Sequence, residues 1–134
     1  MQFYQPYHEA IDRLISTKET GNLTLLSIHS FTPVLGKSER KFDLGILFDH
    51  YEELAQEVGQ RLRRCEYKVH YNEPYSGYDG LIFSARSHGE RHRVVYLELE
   101  INNSLIADPE QAAQMGRAMG TMFQEIFSSR IGKQ

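Results

Sequence analysis

Apolar and polar positions along this chain alternate with two distinct periods. Tyr4, Tyr7, Ile11, Leu14 and Ile15 return at helical spacing and predict an amphipathic helix over residues 4–18, closed by Gly21-Asn22. Leu23 to Ile28 is a short, almost continuous apolar run, which predicts a strand covered on both faces. A loop with Pro33, Gly36 and mixed charge follows, and Phe42 to Phe48 reads as a second strand. Asp49 stands where it can cap the next helix, with Glu52 placed to complete a capping box. Tyr51, Leu54, Ala55, Val58 and Leu62 form that helix's apolar stripe. Tyr67 to Tyr71 predicts a third strand, Asn72 to Gly80 a loop, and Val94 to Ile101 a fourth strand. Asp108, Pro109 and Gln111 open a last helix. Its stripe of Ala112, Met115, Gly116, Met119, Met122, Phe123, Ile126 and Phe127 reads as core packing rather than as a cofactor box.

Strands alternating with helices of this length predict an α/β layered sheet, mostly parallel. No repeat or low-complexity linker divides the chain, so residues 1–134 read as a single domain. With 40% hydrophobic and 25% charged residues, the composition is that of an ordinary globular domain. No apolar run is long enough to span a bilayer, and no signal peptide is visible after Met1, so a membrane role is not expected. Lys and Arg total 15 against 18 acids, so no basic surplus points to nucleic acid. The single cysteine, Cys65, excludes an internal disulfide framework and fits a reducing cytoplasm.

In layered α/β sheets ligands collect beyond the carboxyl ends of the strands. The first strand runs into His29-Ser30-Phe31-Thr32-Pro33. A neutral His29 at the rim can ligate a divalent metal, with Ser30 and Thr32 beside it; the alternative is a buried ring bonded to a backbone carbonyl. In the fourth strand a period of two places Tyr96, Glu98 and Glu100 on one face and Leu97, Leu99 and Ile101 on the other. Two carboxylates on one strand face fit either a desolvated acid/base site or an edge strand with one wet face. The loop Asn72-Glu73-Pro74-Tyr75-Ser76-Gly77-Tyr78-Asp79-Gly80 has the composition of a substrate loop and equally that of a surface turn. Ser87 to Arg93, with His88 and His92, reads as a solvated connection, and His8, His50 and His70 as structural. No HExxH, CxxC, Walker-type or GxSxG motif occurs.

Taken together, Ser27-Ile28-His29-Ser30-Phe31-Thr32-Pro33, Asn72-Glu73-Pro74-Tyr75-Ser76-Gly77 with Asp79-Gly80, and Leu97-Glu98-Leu99-Glu100-Ile101 with Leu105-Ile106 resemble the N-formylglutamate amidohydrolase family. Tyr7-His8 also looks like that family's segment before the first of these strands. The resemblance implies a three-layer α/β/α sandwich of the phosphorylase/hydrolase type, similar to zinc carboxypeptidases. It implies a zinc-dependent hydrolase of an N-acyl, specifically N-formyl, amino acid in amino-acid degradation. His29 matches a zinc ligand and Glu100 the general base on the metal-bound water. Ser30, Thr32, Asn72, Glu73, Tyr75, Ser76 and Asn102 are the expected substrate-binding residues, and Glu98 and His88 are further candidates without a fixed role. The family's proteins are roughly twice this length, a size still compatible with one domain. Their other metal ligands lie in an N-terminal half, so the chain reads as a C-terminal half, truncated on its N-terminal side. The family's arginine and aspartate after the glutamate are replaced here by Asn102 and Ser104.

Three readings follow: an amidohydrolase whose missing ligands come from an N-terminal half; a non-catalytic binding module on the same scaffold; and a small metalloenzyme that dimerises, with His88 or His92 of a second copy completing the site. Whether the chain is an enzyme by itself stays open among them. A missing half also predicts an exposed strand edge, and with it self-association or low solubility.

Overall fold

The computed structural model describes residues 3–18, 21 and 23–130, the last of these by its backbone alone. Among these residues four helices, α1 (Tyr4–Ser16), α2 (Glu52–Arg64), α3 (Phe83–His92) and α4 (Pro109–Arg130), are interspersed with the strands β1 (Thr24–Phe31), β2 (Val34–Leu35), β3 (Ser38–Glu39), β4 (Leu44–Leu47), β5 (Val69–Tyr71) and β6 (Val95–Asn102). The main sheet has the order β1-β6-β4-β5. Its outer pairs, β1 with β6 and β4 with β5, are parallel, and β6 meets β4 antiparallel.

One face of the sheet carries Leu44, Ile46, Val69, Leu97, Leu99 and Ile101 against Leu54, Val58 and Leu62 of α2 and Met115, Met119, Phe123 and Ile126 of α4. The opposite face is packed only in part, by Leu47 and Tyr96 against Ile82 and Ala85 at α3, with Leu25 alongside. Helices therefore cover both faces, as the alternating pattern predicts. The Met-rich stripe is core, with Met115, Met119, Met122, Phe123 and Ile126 all buried. Asp108 caps α4 as expected, its Oδ1 accepting from the backbone N–H of Glu110 (2.9 Å) and Gln111 (3.0 Å). Glu52 and Glu53 open α2 and Arg61, Arg63 and Arg64 close it, matching the helix dipole at both ends. Among the described residues no helix is long and apolar enough to cross a membrane.

Several expectations are corrected. The run from Leu23 is not a strand covered on both faces: β1 is an edge strand extending to Phe31, with Ile28 58% exposed. Among the described residues β1 and β5 are the two edges of an open sheet. Asp49 does not cap α2. The N-cap is Tyr51, in left-handed backbone at φ 60°, and no capping box forms. Asp49 is drawn into the protein instead, its Oδ1 accepting from the Tyr96 hydroxyl at 2.8 Å. Residues 87–92 are not a solvated loop but part of α3. That helix buries only Ala85, His88 and Gly89, small or polar residues that leave no apolar stripe to read. The segment after Pro33 holds the short hairpin β2–β3, turned at Gly36 with φ +62°. In α1 only Ile15 is buried, while Tyr4, Tyr7 and Leu14 face outward. Asn22 of the expected closing pair lies outside the described residues.

Gly45 shows how tightly the sheet is built near its centre. A Cβ there would stand 1.9 Å from the Glu73 carbonyl oxygen and 3.4 Å from the Glu100 Cβ. Gly45→Ala is expected to cost about 1–3 kcal/mol, because overpacking against backbone cannot relax cheaply. Urea unfolding of the variant beside the wild type measures it.

Candidate active site

β6 has a hydrogen-bonded strand on each side, so Glu98 and Glu100 sit on a central strand and both are buried. The edge-strand reading of this pair is thereby overturned. β1 brings Ser27 opposite Glu98 and His29 opposite Glu100, and β4 brings Gly45 opposite Glu100 from the other side. His29 Nε2 lies 3.8 Å from Glu98 Oε2, and the imidazole is 57% exposed. The alternative of a buried, carbonyl-bonded His29 is excluded by that exposure.

Burial dominates the electrostatics. It raises the Glu98 carboxyl above the usual glutamate range, against the opposing pull of His29 and of a hydrogen bond from Ser27. Glu100 is raised by burial first and by the Glu98 charge second, while His29 and Arg40 act in the opposite direction. Glu100 Oε2 is buried and has no hydrogen-bond partner among the described residues. A carboxyl in that condition has a raised affinity for protons and one oxygen free to accept a hydrogen bond.

A polar and aromatic rim surrounds this pair. The Arg40 guanidinium carbon lies 5.3 Å from the Tyr75 ring centroid and 5.8 Å from that of Phe31. Arg40 Nη1 also donates to the Thr32 carbonyl at 3.4 Å. Phe42 lies tilted against Phe31 at 4.9 Å and stacks on His70 at 4.4 Å, and His70 Nδ1 is 2.9 Å from Glu73 Oε2. The loop that carries Glu73 is folded by Asn72, whose Oδ1 accepts from the N–H groups of Phe48 and Gly77, both at 3.0 Å. Ser76 Oγ accepts from Tyr78 N at 3.2 Å.

The structure thus brings His29, Glu98, Glu100, Thr32, Glu73 and Tyr75 into one region. Asn72 and Ser76 shape the loop with their side-chain oxygens. Asn102 is committed internally, with Oδ1 accepting from Ser104 N and Oγ and Nδ2 donating to the Phe42 carbonyl. Strand alternation turns Ser30 to the face opposite His29. His88 is 1% exposed and faces α1, with Nε2 2.7 Å from His8 Nδ1 and Nδ1 2.8 Å from Asp12 Oδ1. In that position it cannot be lent to a second copy of the chain.

Sequence reasoning missed Arg40 and Gly45. Arg40 sits among other charges in a segment with no period, and Gly45 is recognised only through the register that sets it beside Glu100. His29 and His88 both line a cavity of about 330 Å³ between α1, β1 and α3, together with Tyr7, Ile11 and Ser27.

The sequence profile of the N-formylglutamate amidohydrolase family matches residues 1–107. The crystal structure of gene product Atu2144 from Agrobacterium tumefaciens superposes with a TM-score of 0.80 at 26% sequence identity. The alignment covers 94% of this chain and 51% of that one, so this chain spans about half the length of that relative. Among curated proteins none matches.

Because the Glu100 carboxyl is raised, its ionisation at neutral pH opposes folding, and this penalty disappears as pH falls below the ordinary glutamate range. Glu100→Gln is therefore expected to melt above the wild type at pH 7–8, with the two Tm values converging below about pH 4. Thermal melts across that pH range check it.

Proposed function

The chain belongs to the N-formylglutamate amidohydrolase family, and from that premise we propose that it carries the general-base side of an active site hydrolysing N-formyl amino acids. One observation supports this above all: Glu100 is a buried carboxyl with a raised affinity for protons and one oxygen without a partner, beside an exposed imidazole. Glu100 takes a proton from water as its oxygen bonds to the formyl carbon. The same proton then passes to the amide nitrogen as the C–N bond breaks, releasing formate and the free amino acid. Arg40 holds a carboxylate of the substrate against the Tyr75 and Phe31 rings, and the Asn72–Gly80 loop closes over it. The exposed, free thiol of Cys65 suits action in a reducing cytoplasm.

The family implies zinc, which when bound supplies carbonyl polarisation and a more acidic water. The residues present fit one side of such a site. His29 Nε2 and Glu98 Oε2 are two donors 3.8 Å apart, and the β1–β6 register sets Glu100 opposite His29. Open zinc sites take three protein ligands. The one grouping of three close His, Cys, Asp or Glu donors among the described residues lies elsewhere, at Asp12, His88 and His92. We therefore assign the remaining donor at His29 to a polypeptide outside this chain, an N-terminal half or a second copy. The same observation favours a second reading, in which the chain is a binding module without turnover. Under it, His29→Ala and Glu100→Ala leave partner binding unchanged.

Release of formate from N-formyl-L-glutamate with added zinc, by the chain joined with the polypeptide that supplies the missing donor, tests the proposal. Glu100→Gln is expected to lower kcat about 10²–10⁴-fold, the range lost with a general base. Activity indifferent to Glu100→Gln refutes the assignment, and absence of both turnover and substrate binding leaves the module reading. Arg40→Ala is expected to raise KM about 10–100-fold with kcat little changed, corresponding to a charged hydrogen bond of about 1.5–3 kcal/mol. Steady-state kinetics separates the two parameters.

A further inference from the structure

A second polar cluster lies away from Glu100, where α1 packs on α3. His88 and His92 are four residues apart in α3, so their rings leave the same side of the helix. Asp12 approaches them from α1. Its Oδ1 stands 2.8 Å from His88 Nδ1 and 2.7 Å from His92 Nε2, and all three donor atoms lie within 4.8 Å of one another. We propose that Asp12, His88 and His92 form a binding site for a borderline divalent cation of the zinc type, distinct from the one at His29, which fastens α1 to α3.

The donor chemistry is two imidazole nitrogens and one carboxylate oxygen, a set that suits zinc or cobalt and ignores calcium and magnesium. Bonds of about 2.0–2.1 Å in a tetrahedron set ligand atoms about 3.3 Å apart, so these side chains need to spread by only about half an ångström. The supporting contacts are already in place. A ring that binds metal through Nδ1 carries its hydrogen on Nε2, and His8 Nδ1 stands 2.7 Å from His88 Nε2 to accept it. Arg91 engages Asp12 Oδ2, which orients the carboxylate and leaves Oδ1 for the metal. His88 is fully buried, whereas the His92 side chain is 15% exposed and that of Asp12 25%, so ions can enter and a water can fill the fourth position.

Such a tether has a structural task to perform. Among the described residues of α1 only Ile15 is buried, so apolar packing does little to hold this helix. A cation bound by both helices would supply the missing attachment and fix one wall of the cavity that His29 lines.

The test uses the full chain carrying His29→Ala, which removes the other candidate ligand. Zinc stoichiometry after equilibrium dialysis is read together with the Tm shift on adding zinc and the visible absorption of the cobalt-loaded protein. His29→Ala is expected to bind one zinc per chain and to melt higher with it. Adding His92→Ala or Asp12→Asn is expected to weaken binding by more than the roughly 100-fold typical of losing a supporting residue, and to abolish the Tm shift. His8→Ala is expected to weaken it about 10-fold. Circular dichroism confirms that each variant is folded. No zinc bound by His29→Ala, or binding indifferent to both His92→Ala and Asp12→Asn, overturns the proposal. Loss of formate release in His29→Ala with zinc still bound would separate this site from the hydrolytic one.

Discussion

The constraint on which the rest of this structure turns is the burial of two carboxylates on one face of a central strand. Removing an ionised carboxylate from water costs several kcal/mol unless partners replace the lost hydration. β6 meets that cost with the Ser27 hydroxyl, the His29 ring and the nearby Arg40, and still leaves Glu100 Oε2 unsatisfied. The strand can tolerate this because its other face is wholly apolar. Leu97, Leu99 and Ile101 are sealed by α2 and α4, which hold β6 in register whatever happens on the polar side. Gly45 belongs to the same arrangement. Without a side chain opposite Glu100, the Glu73 carbonyl can descend onto the sheet and close the space beside the carboxyl.

Division of labour between the two faces follows. The α2/α4 face is an ordinary core that supplies stability. The other face is packed only near Tyr96, by Ile82 and Ala85, and gives way to polar groups toward the end of β6. Incomplete coverage there leaves a cavity of about 330 Å³ between β1, α1 and α3, lined by His29, while the loop folded by Asn72 lies against the sheet. The Asp49 carboxylate, bonded to the Tyr96 hydroxyl and 3.4 Å from Arg86, marks the boundary between the two halves of this face.

What could be read in the sequence was whatever depends on period and local chemistry. The stripes of α2 and α4, the Asp108 cap and the alternation of β6 all follow from neighbours a few residues apart, and all are present in the structure, except that Tyr51 and Gly116 are exposed. What could not be read depends on partners distant in the chain. Asp49 has the sequence of a helix cap, yet Tyr96, 47 residues later, takes its oxygen. β1 has the sequence of a covered strand, yet its outer edge meets no strand among the described residues. α3 went unrecognised because its buried side consists of Ala85, His88 and Gly89, and Gly89 is there so that the Tyr96 ring can lie within van der Waals reach of the helix backbone. Once 83–92 is treated as a helix, the His88/His92 spacing of four becomes meaningful.

The attachment of α1 is where packing and charge exchange roles. In α2 and α4 apolar burial holds the helix and the polar groups are incidental; in α1 the order is reversed. Its outward Tyr4, Tyr7 and Leu14 contribute little to the core, while Asp12 gathers His88, His92 and Arg91 on one carboxylate. Those contacts, the His92 bond foremost, hold the Asp12 carboxyl down at about 2, so it is ionised at any physiological pH. An anion fixed in this way between two imidazoles attracts protons or a metal cation with the same geometry. A helix held by few apolar contacts is the kind of element whose local stability can change without unfolding the rest. Because Tyr7 and Ile11 line the same cavity as His29, the fastening of α1 and the shape of the space beside His29 are one mechanical problem.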